Sequence, residues 1–382
     1  MSENMTEFNA AGGYSCTLPP PGTPDVWERI EAAYREGFPV VLYGTGDGAD
    51  RIAAVLEGRG IVISGCFASD GFVRNRSFRG HTVHSFDEIK AIFPDGFVTI
   101  LAFATALPEV MDKIDTVAEE SACFFAPHIP ATPDNKGEYR PFTRGDYDRE
   151  YSKIAEVSRL LWDERSRALY AAIWQWRMTG ELCWLRQAVA ETVMPWEKYR
   201  HIVDLGAYTG DTARFFAERC PNLISLTALE PDRRSYAKLS ALELPGIDFR
   251  PIHAAAWDKR DTLTVLGRGG RGMYTSDMPL PEPPRDRLPP AVHYVDALPA
   301  DEAVDTADLI KLDVEGAEMR ALSGAKRLIS DCRLDLLMSV YHRSEDLFML
   351  PLRVHEILPE KRLRLLRPLC YPDWDVVLAA AE

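Results

Sequence analysis

The sequence predicts an α/β protein made of two parallel-sheet units joined by helices. Three observations carry this. Short apolar runs alternate with helix-period stretches over residues 39–105, and the same rhythm returns from residue 196. Each unit opens with a strand that breaks into a glycine turn, Gly44-Thr45-Gly46-Asp47-Gly48-Ala49 in the first and Gly206-Ala207-Tyr208-Thr209-Gly210 in the second. In the second unit, later strands end in acids, at Glu230 and Asp313. A glycine turn with an acid after the next strand suits a nucleoside, the acid holding the ribose hydroxyls.

The bulk numbers bound the answer. A chain of 382 residues exceeds one ordinary core and implies two domains. Hydrophobic content of 46% with 27% charged residues is that of a soluble globular protein. The net charge of −14 argues against nucleic acid and anionic membrane surfaces, whose phosphates it would repel. Seven scattered cysteines form no CxxC pair and no metal-finger spacing. With no signal-type apolar run at the N-terminus and no span-length apolar segment, the expectation is a cytoplasmic protein.

Taken in order, residues 1–24 read as an arm, punctuated by Pro19, Pro20, Pro21 and Pro24. A helix follows over 26–36. Residues 25–125 form the first α/β domain, with strands at 39–43, 61–67, 81–83 and 97–103, and Ser85 as a helix N-cap. Residues 126–195 are a linker and a helical connection, apolar at helical intervals through Ile154, Val157, Leu160 and Leu161, then Leu169, Ile173 and Trp176. Residues 196–382 are the second α/β domain. Its strands fall at 202–205, 224–229, 248–253, 263–266, 309–313, 334–340 and 376–379, with a helix over 317–330. The glycine-, arginine- and proline-rich stretch 267–290 reads as a loop.

The second domain concentrates the chemistry. Asp204, Gly206, Gly210 and Glu230 supply a nucleoside site at the carboxyl edge of the sheet. After the third strand, Ala254-Ala255-Ala256-Trp257-Asp258 offers small residues on which a base can lie, with Trp257 either stacking on it or packed in the core. The sharpest motif is Lys311-Leu312-Asp313-Val314-Glu315-Gly316-Ala317-Glu318. Three carboxylates within six residues at a strand end are costly to bury, so a site explains them better than packing. Glu318 fits a helix N-terminal carboxylate equally well. Tyr341-His342 puts a histidine at another strand end.

These segments (204–211, Leu229-Glu230-Pro231-Asp232, 310–318 and Tyr341-His342) resemble the FkbM family of S-adenosylmethionine-dependent methyltransferases over about residues 196–380. One departure is visible: Tyr208 stands where the family usually carries a small polar residue, often Asn. The resemblance implies a class I methyltransferase domain with a seven-stranded Rossmann-like sheet. It implies O-methylation of a hydroxyl on a sugar, a glycosylated or a polyketide-type metabolite. Carried over by position, Asp204, Gly206 and Gly210 would line the methionine side of S-adenosylmethionine, Glu230 would hold the ribose, Asp258 would lie near the adenine, and Asp313 would close the floor beside the methyl group. Ala207, Pro231 and Trp257 are further candidate cofactor contacts.

Methyl transfer to a hydroxyl is an in-line displacement in which positioning dominates and a base assists. His342, with an unperturbed pKa of about 6.5, is the first candidate base and Asp313 the second. Asp313, Glu315 and His342 could instead hold a divalent cation, but nothing in their spacing selects a metal, and metal-free catalysis is preferred. The arginines Arg268, Arg271, Arg285 and Arg287 suit an anionic acceptor as well as a solvated loop.

The first domain says less. Its glycine turn is a weak dinucleotide fingerprint, with Asp70 as the candidate acid. Ser69-Asp70, Gly80, Val83 and Phe86-Asp87-Glu88-Ile89 look like the small Rossmann-like domain at the front of some sugar acetyltransferases, where it binds nucleotide sugar; here the domain grips part of the acceptor, binds a nucleotide or sugar, or is a scaffold that binds nothing, with scaffold or acceptor recognition ahead of a redox cofactor. Two rival functions remain. One is an NAD(P)-dependent oxidoreductase using the first domain. The other is a non-catalytic nucleotide-sugar-binding module.

Overall fold

The computed structural model describes residues 16–69, 77–133, 138–187, 194–267, 274–276, 291–331, 333–372 and 374–382. The first sheet is built from β1 (Val40–Tyr43), β2 (Ile63–Phe67), β3 (Ser77–Phe78), β4 (His81–His84), β5 (Val98–Leu101) and β6 (Cys123–Phe125), in the order β3-β4-β2-β1-β5-β6. All its pairings are parallel except β3 with β4. Helices α1 (Val26–Arg35), α2 (Asp47–Gly58), α3 (Phe86–Ile92) and α4 (Pro108–Glu120) pack around it. The Ser85 cap forms as expected, as a capping box closed by Glu88. Helix α4 falls in a stretch that shows little helical signal in the sequence. Asp70 and the four arginines from Arg268 to Arg287 lie outside the described residues.

Helices α5 (Arg144–Leu160), α6 (Glu164–Thr179) and α7 (Leu182–Gln187) form the expected helical connection. The seven-stranded sheet follows, from β7 (His201–Leu205), β8 (Ser225–Leu229), β9 (Asp248–Ile252), β14 (Leu309–Leu312), β15 (Asp335–Ser339), β16 (Arg362–Leu366) and β17 (Val377–Ala381). Its order is β16-β17-β15-β14-β7-β8-β9, and only β17 runs against its neighbours. Side chains alternate between its faces, as pleating requires. Val203 and Ile310 join a core with Ile173 and Trp174 of α6, while Ile202 and Leu309 join Phe216 on the other face. Each such large side chain, fully buried, stabilises by roughly 1.5–3 kcal/mol.

Between β9 and β14 lies a second, four-stranded sheet of β10 (Ala255–Ala256), β11 (Asp261–Gly267), β12 (Tyr274–Ser276) and β13 (Ala291–Leu298). Two expectations are corrected here. The stretch read as a loop holds β12, and the segment after it forms an unexpected long strand, β13, antiparallel to β11. The remaining helices of the second half are α8 (Asp211–Arg219), α9 (Arg233–Leu239), α10 (Ala300–Ala303), α11 (Glu318–Ser323), α12 (Lys326–Asp331) and α13 (Asp346–Ile357). The helix expected over 317–330 is thus two helices. They break at Gly324, where a Cβ would lie 2.0 Å from the Trp257 carbonyl oxygen. Among the described residues, no helix is long and apolar enough to cross a membrane. The described cysteines form no disulfide.

Candidate active site

The site grows from the carboxyl ends of the central strands β14, β7 and β8. At the end of β7, Gly206 has φ +84°, and a Cβ on it would sit 1.9 Å from the Asp313 carbonyl oxygen. No side chain fits there, so the turns after β7 and β14 can touch only through glycine. The amides of Gly206 and Ala207 both donate to the Leu229 carbonyl at 3.0 Å, which holds the turn over β8. Gly210, also left-handed at φ +84°, starts α8.

Buried charge locks this arrangement. Asp204 is fully buried and accepts from the Thr212 hydroxyl. Its other oxygen lies 3.1 Å from Lys311 Nζ, which donates to the Gly206 carbonyl at 2.7 Å and stands 3.8 Å from Asp313. Burial pushes the Lys311 pKa down, but Asp204 and Asp313 outweigh it and hold it above the usual value. Lys311 is therefore a cation that clamps the glycine turn, a role the sequence motif does not announce.

After β8, Glu230 is buried, and its two carboxylate oxygens accept from the Tyr208 and Asp232 amides at 2.8 Å each. Burial raises its pKa to about 7 against those two hydrogen bonds. Each oxygen keeps a lone pair for a ligand hydroxyl. Tyr208 has φ +47°, in the left-handed region where Asn is tolerated better than most residues.

Beyond β14, Glu315 (φ +53°) and Gly316 (φ +91°) reverse the chain into α11. Glu318 is buried, and its Oε1 accepts from the Val314 amide at 3.0 Å and from His342 Nδ1 at 2.8 Å. His342 is completely buried, and its Nε2 lies 3.5 Å from both Asp313 Oδ1 and Glu315 Oε2. Burial alone would lower the histidine's pKa. Glu318 first, then Glu315 and Asp313, raise it to about 10. Thr132, from the segment linking the two halves, donates its amide to the His342 carbonyl at 3.0 Å and its hydroxyl to the Glu315 carbonyl at 3.1 Å.

These elements surround a cavity of about 810 Å³. One half is lined by the strand-end residues, with Gly206, Glu230, Pro231, Lys311, Asp313 and Glu315 among them. The other half is apolar and aromatic, with Trp196, Phe215, Phe216, Leu337, Leu366 and Val377. The wall carries six carboxylates against three basic side chains, so it suits a ligand with positive charge better than one with a pyrophosphate. Four described non-glycine residues have a left-handed φ, and three of them, Tyr208, Glu315 and Asp375, line this cavity. Such backbone costs roughly 1–3 kcal/mol each and gathers where function requires it.

The sequence-predicted residues divide accordingly. Gly206, Glu230, Pro231 and Asp313 line the cavity. Asp204, Ala207 and Gly210 lie behind its wall and hold the turn. Trp257 is buried in the small core under β11 and β13, with the Arg320 guanidinium 5.3 Å from its ring centre, and Asp258 is paired to Arg320 at 2.7 Å. Neither lines the cavity; Ala255 and Ala256 do. The side chains at 257 and 258 are taken up by Arg320, a long-range partner that local spacing cannot reveal. His342 likewise stands behind Asp313 and Glu315 rather than in the wall. Sequence reasoning missed Lys311, Tyr208, Tyr341 and the whole aromatic half.

The first sheet's glycine turn is different. A Cβ on Gly44 would lie 2.7 Å from the Phe103 ring, and one on Gly48 2.5 Å from the Ala102 carbonyl oxygen. The glycines serve packing against β5. Helix α2 carries Asp47 and Asp50 in its first turn, where a pyrophosphate would have to sit.

Residues 204–365 match the family model described as the methyltransferase FkbM domain. Among solved structures, the chain is similar to the FkbM methyltransferase of Methylobacillus flagellatus KT. That match has a TM-score of 0.66 and 18% identity and covers 96% of this chain and 94% of that one, so the shared fold runs through both sheets. Aeropyrum pernix fibrillarin, solved with S-adenosyl-L-methionine, overlaps at a TM-score of 0.30 and 14% identity over 50% of this chain and 70% of that one. Methanococcus jannaschii fibrillarin overlaps at 0.30 and 16% over 58% and 76%. No curated protein matches the chain. Its second half has the class I methyltransferase fold, and within it residues 204–365 match the FkbM methyltransferase domain.

Proposed function

We propose that the protein transfers a methyl group from S-adenosylmethionine to a hydroxyl oxygen of a small-molecule acceptor. The observation that carries this reading is Glu230, a buried carboxylate fixed at both oxygens and facing a cavity whose wall is mostly acidic. A ribose diol fits such a carboxylate. S-adenosylmethionine, when bound, supplies a methyl group on a positively charged sulfur. Glu230 would take the ribose hydroxyls, Pro231, Ala255 and Ala256 would offer a flat surface to the base, and Gly206 would let the methionine portion approach the backbone.

The acceptor would enter through the aromatic half. Trp196 and Phe215 line it, and aromatic side chains suit the apolar face of a sugar or a polyketide-type ring. Asp313 and Glu315 are carboxylates of the cavity wall and would receive the acceptor's proton. His342 is the group expected from the sequence to do this directly. It is walled off from the cavity behind Asp313 and Glu315, so those two would take that part instead.

Intact-mass screening of hydroxylated acceptors with S-adenosylmethionine tests the reading, with a gain of one methyl group expected. Calorimetry with S-adenosylhomocysteine and with NAD(H) provides the control. Tight NAD(H) binding without S-adenosylhomocysteine binding would overturn it.

A further inference from the structure

His342 has an arrangement that the methyl-transfer reading does not use. Its Nδ1 donates to Glu318 Oε1 at 2.8 Å, which sets the ring's orientation. Its Nε2 points the other way, toward Asp313 Oδ1 and Glu315 Oε2, and makes no hydrogen bond among the described residues. The ring has no exposed surface, so water does not cover that nitrogen from outside.

The distances bear on what joins these groups. A charged N–H···O bond closes to about 2.7–2.9 Å. Here both oxygens stand at 3.5 Å from Nε2. Ligand atoms about 2.1 Å from a divalent cation, at 90–110° to one another, lie about 3.0–3.4 Å apart. The observed spacing is too long for the hydrogen bond and just wider than that of atoms sharing a cation, so a small inward movement closes the three groups on an ion.

The surroundings agree. A metal-bound histidine usually donates its other N–H to a carboxylate, which fixes the tautomer and the ring; Glu318 stands in that place. Glu318 is itself anchored by the Val314 amide at 3.0 Å, so it orients and need not ligate. Asp313, Glu315 and Glu318 put three carboxylates around one imidazole. Lys311 is bonded to Asp204 and the Gly206 carbonyl and stands farther off, 3.8 Å, from Asp313 Oδ2, while Asp313 Oδ1 faces His342. Asp313 and Glu315 keep 35% and 28% of their side-chain surface open, toward the cavity, which leaves room on that side for water or an acceptor oxygen.

We propose that His342 Nε2, Asp313 and Glu315 bind one divalent cation of the Mn²⁺ or Mg²⁺ class at the cavity floor, with Glu318 as the outer carboxylate that orients the histidine. One nitrogen and two carboxylate oxygens with open positions suit an octahedral ion of this kind. Binding stands independently of the methyl-transfer reading; the ion's part in catalysis rests on that reading. There it acts as a Lewis acid on the acceptor hydroxyl. The oxygen–methyl bond forms as the sulfur–methyl bond breaks. The electron pair goes to sulfur, and the hydroxyl proton passes to a carboxylate oxygen and then to solvent.

The test is Mn²⁺ titration of the chelator-treated full-length protein without cofactor, with free Mn²⁺ counted by electron paramagnetic resonance. One Mn²⁺ per chain is expected. Affinity should fall at least tenfold in Asp313→Asn and Glu315→Gln, and about 10–100-fold in Glu318→Gln. Glu315→Gln changes a cavity-facing side chain and is the variant to rely on if a buried substitution unfolds the protein. No binding by the folded wild type up to about 1 mM Mn²⁺ would overturn the proposal. So would binding that Asp313→Asn and Glu315→Gln leave unchanged. S-adenosylhomocysteine binding and methyl transfer without Mn²⁺ binding would sink this proposal and spare the function. Mn²⁺ binding without S-adenosylhomocysteine binding would do the reverse.

Discussion

The two glycine turns of this chain look alike as text and differ as objects. The first, after β1, is closed by its own sheet. Phe103 and Ala102 fill the space its glycines open, and two aspartates sit in the first turn of the helix behind it. In the second, after β7, Gly210 is packed by Leu242 and Leu239, but Gly206 meets chiefly the backbone of Asp313, and a cavity opens beside it. A glycine turn is thus a permission for close approach, and its surroundings decide whether a ligand or the protein's own core uses it.

The largest expected effect breaks this contrast at its centre. Gly206→Ala puts a Cβ 1.9 Å from a carbonyl oxygen at a left-handed φ. Thermal melting should show a loss of about 3 kcal/mol or more, and calorimetry should show no S-adenosylhomocysteine binding. At Gly46 of the first turn a Cβ meets nothing within 4 Å and φ is −91°. Gly46→Ala should cost under about 1 kcal/mol. Equal losses at both positions would refute the comparison.

The acids give the next test. Glu230→Gln should weaken S-adenosylhomocysteine about 10–100-fold, since a charge-assisted acceptor becomes a neutral one, whereas Asp50→Asn should leave its affinity unchanged. The Glu230 carboxyl sits at about 7, and a ribose diol binds its ionised form. Affinity should therefore rise as pH passes upward through about 7 and then level off, and Glu230→Gln should lose that dependence. A flat profile in the wild type would remove Glu230 from the binding account.

The helical connection between the two sheets carries a stability term of its own. Asp146, buried at the start of α5, is pushed up by burial but held at about 2 by hydrogen bonds from Arg149, Thr143 and Arg140. A lowered carboxyl stabilises fully above its usual 3.8 and loses that contribution as pH falls toward 2. Asp146→Asn should cost about 2 kcal/mol in urea unfolding at pH 7 and little at pH 2. The smallest effect joins the two regions: Thr132→Val removes the hydroxyl's bond to the Glu315 carbonyl. About 1 kcal/mol should be lost at neutral pH, and a loss under about 0.2 kcal/mol would mean the linker does not brace the turn.

Much of this molecule is readable along the chain. The apolar strands around Val203, Ala228 and Ile310, the Ser85 cap and the acids Glu230 and Asp313 follow from periodicity and short-range chemistry. Trp257 and Asp258 do not, because their partner Arg320 lies more than sixty positions away. The strand Ala291–Leu298 was hidden because its partner, β11, lies across the glycine-rich stretch. Tyr208 looked like a departure from a family pattern until its φ showed what the position demands.

The sequence by itself determined the fold class, the sheet edge that carries the candidate site and the resemblance to the FkbM domain, since these rest on local periodicity and contiguous motifs. Only the tertiary structure decided how the acids are used. Asp313, Glu315 and Glu318 are neighbours in the chain, but Glu318 turns inward to His342, twenty-four positions on, while Asp313 and Glu315 face the cavity. The reversal at Glu315 and Gly316 sends adjacent carboxylates in opposite directions. A one-dimensional pattern records their order and spacing but not that reversal.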